Sequence, residues 1–359
     1  MRIPSVTDLL AGAYYQRVFR GALRRMRNAT SRSADYSLRM NAEIETYKDC
    51  LDVNDLPQIF HYWSNKYLAP KFERLGFGHP DAFFAKFLKE SASRVGGRPA
   101  RFVSIGAGNC DTEVRVARLL QDRGLAGFTI ECVDINRDML DRGRSMASAA
   151  GVAQSIVTSV GDFNEWKPAS AYDAVMANQS LHHVMNLEGL FDSIRQAIAP
   201  AGVFITSDMI GRNGHQRWPE ALEIVREFWK GLPNAYRYNR QLRRHEEEFM
   251  DWDCSVGTFE GIRSQDILPL LVERFEFDVF APFANVIDPF IDRGFGHHFD
   301  AESSRDREFI DRVHARDEAE IARGRITPTH MMAVLCTGRR GRAEYLDGLR
   351  PGSCIRRPD

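Results

Sequence analysis

The sequence has almost no net charge. Its 48 lysine and arginine side chains nearly balance its 49 aspartate and glutamate side chains, which leaves a formal charge of −1. A chain without an excess of positive charge has no bulk attraction to nucleic acid or to acidic membranes. The composition therefore argues against an RNA-binding protein and predicts no nucleic-acid partner.

Long hydrophobic runs are also missing. No segment approaches the roughly 20 apolar residues that a membrane-spanning helix needs, and residues 1–27 lack the uninterrupted apolar core of a signal peptide. The six cysteines are scattered, with no C-x-x-C pair and no zinc-ligand spacing. Because several of them fall inside predicted strands, the expected location is the reducing cytoplasm.

The most informative stretch that is present is residues 101–111, RFVSIGAGNCD. Its apolar residues predict a strand, Gly106 and Gly108 predict a tight turn, and the apolar spacing in residues 112–121 predicts a helix. A strand, a glycine turn and a helix form the first unit of a doubly wound α/β sheet, in which ligands bind where the turn opens. Glycine suits this turn because a Cβ atom would keep the backbone N–H groups away from a ligand.

The turn lacks the last glycine of the dinucleotide fingerprint G-x-G-x-x-G, since Asp111 stands there. A carboxylate facing a pyrophosphate at a helix N-terminus is unfavourable, which disfavours NAD and FAD. An amino acid moiety tolerates the acid because its ammonium group needs a partner. A second predicted strand, residues 130–133, ends at Asp134, whose carboxylate can accept hydrogen bonds from both hydroxyls of a ribose.

At this point the chain resembles the class I S-adenosylmethionine-dependent methyltransferases. In that family, glycines after strand one hold the methionine part of the donor, an acid after strand two holds the ribose, and an acid after strand three meets the adenine. Residues 156–160 predict the third strand and lead into Gly161-Asp162-Phe163, which matches the adenine segment. Ser104 and Cys110 depart from the family pattern, which often has an acid and a third glycine at those positions.

The resemblance implies S-adenosyl-L-methionine as the cofactor and S-adenosyl-L-homocysteine as the product. The donor-binding residues that it implies lie at and after the first four strands: Gly106, Ala107, Gly108, Asp111, Asp134, Ile135, Met139, Gly161, Asp162, Phe163, Asn178 and Gln179.

The implied fold is an α/β fold with a doubly wound, seven-stranded, mostly parallel Rossmann-like methyltransferase sheet. An N-terminal helical cap region, residues 1–97, precedes the methyltransferase domain, residues 98–338. Two helical insertions, residues 211–257 and 285–330, interrupt this domain, and residues 339–359 are predicted to be a basic tail without regular structure. Long insertions at the ligand end of a sheet usually form lids, which favours a small, enclosed acceptor over a macromolecule.

Methyl transfer from a sulfonium donor is an in-line displacement, so alignment of the reacting atoms and exclusion of water supply most of the acceleration. A hydroxyl acceptor also benefits from a general base. His182 and His183 follow the fourth predicted strand, where the methyl group should point, and imidazole has a suitable pKa. Capping of the next helix or a bond to a backbone carbonyl is an equally good interpretation of either histidine. Glu260 is a second candidate base.

Candidate acceptor-binding residues come from the N-terminal aromatic stripe and from the insertions, although core packing is the default for such a stripe: Tyr62, Trp63, Lys66, Tyr236 and Arg263. A metal site was considered at His297 and His298 with Asp292 and Asp300. Those residues show no regular ligand spacing, so no metal is predicted.

The sequence thus predicts a cytoplasmic enzyme that methylates an oxygen or nitrogen of a small molecule, such as a natural-product or sugar-type intermediate. The alternatives are an RNA or protein methyltransferase and a donor-binding scaffold without catalysis. A nicotinamide oxidoreductase is disfavoured by Asp111 and by the adenine segment. A homodimer is left open.

Overall fold

The structure, a computed structural model, describes residues 32–47, 56–94, 97–338 and 341–358. Of the predicted N-terminal helical cap region, residues 1–31, 48–55 and 95–96 lie outside the described residues. Among the helices of the described ranges, none has both the length and the apolar character that crossing a membrane would require. None of the five described cysteines forms a disulfide.

The strands of the described residues are β1 (Ala100–Ile105), β2 (Phe128–Asp134), β3 (Ile156–Val160), β4 (Tyr172–Asn178), β5 (Ile198–Met209), β6 (Tyr238–Asn239), β7 (Arg244–His245), β8 (Glu276–Phe283), β9 (His330–Cys336) and β10 (Glu344–Tyr345). The α-helices are α1 (Arg32–Tyr47), α2 (Gln58–Trp63), α3 (Ala69–Glu73), α4 (Pro80–Ala92), α5 (Asp111–Asp122), α6 (Arg137–Ala149), α7 (Leu187–Ala197), α8 (Pro219–Lys230), α9 (Ser264–Arg274), α10 (Asp288–Ile291) and α11 (Ser304–Ala322).

Eight strands form one sheet in the order β3-β2-β1-β4-β5-β9-β8-β10. The pairs among β1 to β5 are parallel, whereas β9 runs antiparallel to both of its neighbours. Adjacent residues of a strand point to opposite faces, and Phe102 and Val103 of β1 accordingly belong to different apolar clusters. This confirms the predicted doubly wound, mostly parallel sheet.

The C-terminal segment corrects one expectation. Residues 339–359 were predicted to lack regular structure, but β10 pairs with β8 as an eighth strand, and two short 3₁₀ turns follow it. Leu346 and Cys354 are each only 3% exposed. A few apolar side chains are enough to anchor this segment. Polar residues surround them in the sequence, so they form no pattern that predicts a strand or helix.

The two insertions pack against each other. Trp229 of α8, from the first insertion, has its ring centroid 4.8 Å from that of Phe295 in the second. Arg217 donates a hydrogen bond to Asp288 at 2.7 Å and another to the carbonyl of Asn285. Trp229, which is 1% exposed, is therefore buried by contacts between the insertions.

The helices before the sheet join this assembly. Trp63 of α2 is 2% exposed and donates its indole N–H to Nδ1 of His314 on α11, 3.2 Å away. We refer to α2, α8 and α11 as the helical cap. Both insertions of the cap leave the sheet at the carboxyl ends of strands, β5 and β8, which is the edge where ligands bind in this architecture.

Candidate active site

The turn between β1 and α5 lies next to the carboxyl end of β2. Gly106 and Gly108 have positive φ angles of +71° and +54°, which residues with a Cβ rarely adopt. The N–H groups of Gly106 and Ala107 both donate to the carbonyl of Val133, at 2.9 and 3.1 Å. A Cβ atom at Gly106 would lie 2.5 Å from the Cβ of Ser180, so the turn passes close to the loop after β4.

Asp134 connects this turn to β2. Its carboxylate is 8% exposed and accepts hydrogen bonds from the N–H groups of Gly108, at 2.9 Å, and Asn136, at 2.8 Å. Burial raises the pKa of Asp134 above its ordinary value. Each carboxylate oxygen can accept more than one hydrogen bond, so Asp134 keeps acceptor capacity for the hydroxyl groups of a ligand. Its place beside the glycine turn fits the ribose-binding role.

The adenine segment is contacted by α1. The Tyr36 hydroxyl donates a hydrogen bond to Asp162, and the backbone N–H of Asn164 donates to the other oxygen of Asp162 at 2.8 Å. Burial is the largest cause that raises the pKa of Tyr36, and the hydrogen bond to Asp162 is the second. Phe163 is 8% exposed and lies beside Gly106.

All twelve predicted donor-binding residues end or follow β1 to β4, so the parallel topology brings them to one edge of the sheet. Met139 lies next to Gly108, and Asn178 donates to the hydroxyl of Thr112 at 3.1 Å. Gln179, immediately after β4, has a φ angle of +53°. Their role in donor binding remains a prediction.

A buried histidine–aspartate pair lies at the carboxyl end of β4 and β5. Nδ1 of His182 is 2.7 Å from Oδ1 of Asp208, which is fully buried. The other oxygen of Asp208 accepts from the N–H groups of Ser180 and Leu181 at 2.9 and 2.7 Å. This set of bonds fixes the orientation of the imidazole and leaves its Nε2 to face the site.

Glu260 joins His182 to two further histidines. Its Oε1 lies 2.7 Å from Nε2 of His215 and 3.5 Å from Nε2 of His182, and its Oε2 lies 3.5 Å from Nε2 of His183. The three catalytic candidates of the sequence, His182, His183 and Glu260, are therefore brought together by the fold. We refer to these three residues with His215 as the histidine–glutamate cluster.

The charged groups of the cluster and Asp208 shift one another's pKa values. Burial alone would lower the pKa of His182, but Asp208 and Glu260 raise it to about 10. Burial would raise the pKa of Glu260, but the three histidines hold it well below its usual range. Burial lowers the pKa of His215, and its Nδ1 has no hydrogen-bond partner among the described residues.

Three short segments hold the cluster in place. The 3₁₀ turn Leu181–His183 is tied to the Glu260 loop because the N–H of Ile262 donates to the carbonyl of His182 at 3.0 Å. The N–H of Gly214 donates to the carbonyl of Gly261 at 2.8 Å. His215 itself has a φ angle of +55°, a conformation that costs a non-glycine residue about 1–3 kcal/mol and is common at functional sites.

Helix α1 covers this region. Oε1 of Glu43 lies 2.9 Å from Nδ1 of His183, and Arg39 donates to the carbonyls of Ser255, at 2.8 Å, and Thr258. Among residues 36–45 of α1, no side chain is fully buried. The helix is therefore held largely by polar contacts, to Asp162, to His183 and to two loop carbonyls.

The predicted acceptor-binding residues lie elsewhere. Tyr62 and Lys66 bond to Asp311 of α11 at 2.9 and 2.8 Å, and Trp63 bonds to α11 as described above. The aromatic stripe thus packs within the helical cap, against α11 of the second insertion. Their role in acceptor binding remains a prediction.

The other two predicted acceptor-binding residues are also held by acids outside the cluster. Tyr236 donates to Asp306 at 3.1 Å, and Arg263 bonds to Glu188 at 2.6 Å. Arg263 follows Glu260 closely in the chain, but it is directed to α7. Nε2 of His298, from the rejected metal motif, lies 2.7 Å from the carbonyl of Tyr238.

The sequence analysis missed Asp208, His215 and Glu43. Asp208 offered a signal, because it is an acid near the end of a mostly apolar strand. That end lies at the edge of the sheet where a ligand was predicted to bind. His215 and Glu43 offered none, since they come from an insertion loop and from α1, whose positions depend on tertiary packing. A depression of about 480 Å³ lined by Gly127 and Phe128 lies at the opposite, amino end of β2 and does not include the cluster.

Comparisons with known proteins identify the family of the chain. A family model described as a methyltransferase domain matches residues 79–279, more than half of the chain. The 27-O-demethylrifamycin SV methyltransferase of Amycolatopsis mediterranei (strain S699) is 24% identical over 213 residues, which cover 53% of this chain and 76% of that protein.

Two solved structures resemble the chain at low identity. One is the O-methyltransferase from a trans-AT PKS multienzyme of Brevibacillus brevis in complex with S-adenosyl-L-homocysteine, with a TM-score of 0.42, 13% identity and coverage of 80% of this chain and 82% of that one. The other is a SAM-dependent methyltransferase from Thiobacillus denitrificans in complex with S-adenosyl-L-homocysteine, with a TM-score of 0.40, 14% identity and coverage of 79% and 100%. At these TM-scores neither structure adds to the assignment.

A doubly wound sheet with a glycine turn after β1 and acids after β2 and β3 defines a Rossmann-like methyltransferase. The chain belongs to the methyltransferase domain family, and it is an S-adenosylmethionine-dependent methyltransferase of class I, as the resemblance predicted.

Proposed function

We propose that the protein transfers a methyl group from S-adenosylmethionine to a hydroxyl oxygen of a small, natural-product-type molecule. The observation that carries this proposal is the histidine–glutamate cluster at the carboxyl end of β4, beside the glycine turn and beneath α1. A hydroxyl must lose its proton when it is methylated, and the cluster supplies acceptors for that proton.

The donor site is assigned to Gly106, Gly108 and Asp134. The open backbone of the turn admits the methionine part of the donor, and the Asp134 carboxylate accepts hydrogen bonds from the ribose. When bound, S-adenosylmethionine supplies an activated methyl group on a sulfonium. The residues of the chain then have to align the acceptor with that group and exclude water.

The acceptor hydroxyl is assigned to the space between Glu260 and His183. Oε2 of Glu260 and Nε2 of His183 are 3.5 Å apart, so a hydroxyl beside this pair can lie within hydrogen-bond distance of both atoms and pass its proton to the carboxylate. His182 is only 4% exposed, and α1 covers His183. This degree of enclosure suits a small molecule better than a duplex or a protein surface.

An oxygen acceptor is favoured over nitrogen by two considerations. The cluster presents carboxylate and imidazole groups that can receive a hydroxyl proton, and the relative from Amycolatopsis mediterranei is named for methylation of an oxygen. Natural products with free hydroxyl groups are therefore the first acceptors to test.

The test uses S-adenosylmethionine with an isotopically labelled methyl group and a panel of hydroxylated and aminated small molecules. We expect label on an oxygen of at least one hydroxylated compound, located by mass spectrometry and NMR. Glu260→Gln should lower the transfer rate by about 10²-fold or more without changing S-adenosylhomocysteine affinity. Transfer only to RNA or protein, or unchanged turnover by Glu260→Gln, would reject the proposal.

A further inference from the structure

The histidine–glutamate cluster contains a set of metal-binding atoms that the chemistry above does not require. His182, His215 and Glu260 each offer one ligand atom, and these atoms all lie within 4.8 Å of one another. They come from three different loops, after β4, after β5 and before α9. We propose that these three residues bind one divalent transition-metal ion of the zinc class, beside the acceptor hydroxyl.

The distances between the donor atoms fit such an ion. Zinc–ligand bonds are about 2.0–2.1 Å long, so neighbouring ligand atoms around the ion are about 3.0–3.4 Å apart. Oε1 of Glu260 is 2.7 Å from Nε2 of His215 and 3.5 Å from Nε2 of His182. The ligand atoms of the two histidines lie within 4.8 Å of each other, so the three side chains have to adjust around the ion when it binds.

His182 is already oriented as a metal ligand. Metal-binding histidines usually donate their other ring N–H to a carboxylate or carbonyl, which fixes the tautomer and makes the ligating nitrogen more basic. Asp208 takes that place on Nδ1 of His182 and is itself held by three backbone N–H groups, those of Ser180, Leu181 and Met209. The carboxylate–histidine arrangement leaves Nε2 free to bind.

The charges around the cluster also favour a cation. Asp208, Glu260 and Glu43 place three carboxylates against the histidines, and a buried charge has to be offset by a partner. A divalent ion would offset two of these negative charges in place of protons on the ligating histidines, because a histidine that binds a metal is neutral. Two imidazoles and one carboxylate suit zinc, cobalt or iron better than magnesium or calcium, which prefer oxygen ligands.

Three protein ligands leave at least one position of the ion open, as in catalytic zinc sites. The acceptor hydroxyl is the natural occupant of that position. His183 lies outside the ligand set, with its Nε2 3.5 Å from the second oxygen of Glu260. The inference rests on the proposed function only where it names the acceptor hydroxyl as the group in the open position. Binding of the ion itself needs only the three side chains.

The sequence analysis predicted no metal because it considered only the adjacent pair His297 and His298. The three ligands proposed here are separated by 33 and 45 residues along the chain. Only the packing of the insertion loops on the end of β4 brings them together, so no ligand spacing was visible.

The experiment titrates the purified full-length chain with Co²⁺, followed by visible absorption, and then displaces it with Zn²⁺. We expect one Co²⁺ per chain. His215→Asn and Glu260→Gln should lower the Co²⁺ affinity by at least the roughly 10–100-fold that loss of a supporting partner alone costs. Asparagine is chosen because it tolerates the positive φ of residue 215. His61→Gln, on the exposed side of α2, is the matched control and should bind Co²⁺ like the wild type.

Absence of a visible band, or equal Co²⁺ binding by the wild type and both ligand variants, would overturn the proposal. S-adenosylhomocysteine binding and methyl transfer are measured on the same samples. Full transfer by a chelated enzyme that binds no Co²⁺ would reject the metal and keep the proposed function. Stoichiometric Co²⁺ binding without transfer to any acceptor would keep the metal and reject the proposed function.

Discussion

Asp134 accepts hydrogen bonds from the backbone N–H groups of Gly108 and Asn136. Its removal therefore affects both ligand binding and the glycine turn. We expect Asp134→Ala to weaken S-adenosylhomocysteine binding by about 1.5–3 kcal/mol, the range for a hydrogen bond to a charged group. Calorimetry measures the change, with Asp122→Ala as the control because Asp122 is 58% exposed on α5. A folded Asp134→Ala protein with wild-type affinity would contradict the ribose assignment.

Glu113 places a buried carboxyl group beside Ser104, where the family often has an acid. The Ser104 hydroxyl donates to Glu113 at 2.6 Å, and burial raises the pKa of Glu113 to about 7. The folded state therefore holds a proton that the unfolded chain, with a pKa of about 4.3, releases earlier. This contribution to the free energy of unfolding is present below about pH 4 and is lost as the pH rises through 7.

Glu113→Gln keeps an acceptor for Ser104 and cannot ionise. Between pH 5 and pH 8 the wild type should lose stability relative to this variant, by at most about 1.4 kcal/mol per pH unit below the folded pKa. Urea denaturation at both pH values measures the difference, and Glu273→Gln, at an exposed position, serves as the control. A difference that does not change with pH would show that Glu113 does not titrate there.

At the scale of secondary structure, α1 is held by polar contacts to Asp162, His183 and the loop carbonyls. Such a helix opens readily, since little apolar surface is buried beneath it. We expect bound S-adenosylhomocysteine to slow hydrogen exchange in α1, because the donor would fill the space that α1 covers. Arg39→Ala should speed exchange in α1, whereas Arg118→Ala on α5 should leave it unchanged. Exchange in α1 that is insensitive to both ligand and Arg39 would argue against a lid.

Elements that are specified by residues close together in the sequence were predicted, whereas contacts between distant segments were not. Strands β1 to β3 and helix α5 were predicted because their apolar periodicity and the glycine turn are local signals. The cluster was predicted in part, since His182 and His183 follow β4 directly. His215 enters it only through packing, which no local pattern records.

At the scale of the whole molecule, the helical cap joins three segments that are distant in sequence. Trp63 is the buried contact that α2 makes with α11, and its indole N–H requires Nδ1 of His314 to be unprotonated. We expect Trp63→Ala to lower the free energy of unfolding by about 3–5 kcal/mol, the range for deleting a large buried aromatic side chain. Trp252→Ala is the control, since Trp252 is 37% exposed. A loss below about 1 kcal/mol would mean that α2 does not depend on α11.

The most direct measurement of the proposed active site is a crystal structure of the wild-type protein with S-adenosylhomocysteine. The homocysteine part should lie against Gly106 and Gly108, the ribose hydroxyls should bond to Asp134, and the sulfur should face His182 and His183. Density for the ligand at any other place, or a sulfur directed away from the two histidines, would contradict the assignment of this edge of the sheet as the site of methyl transfer.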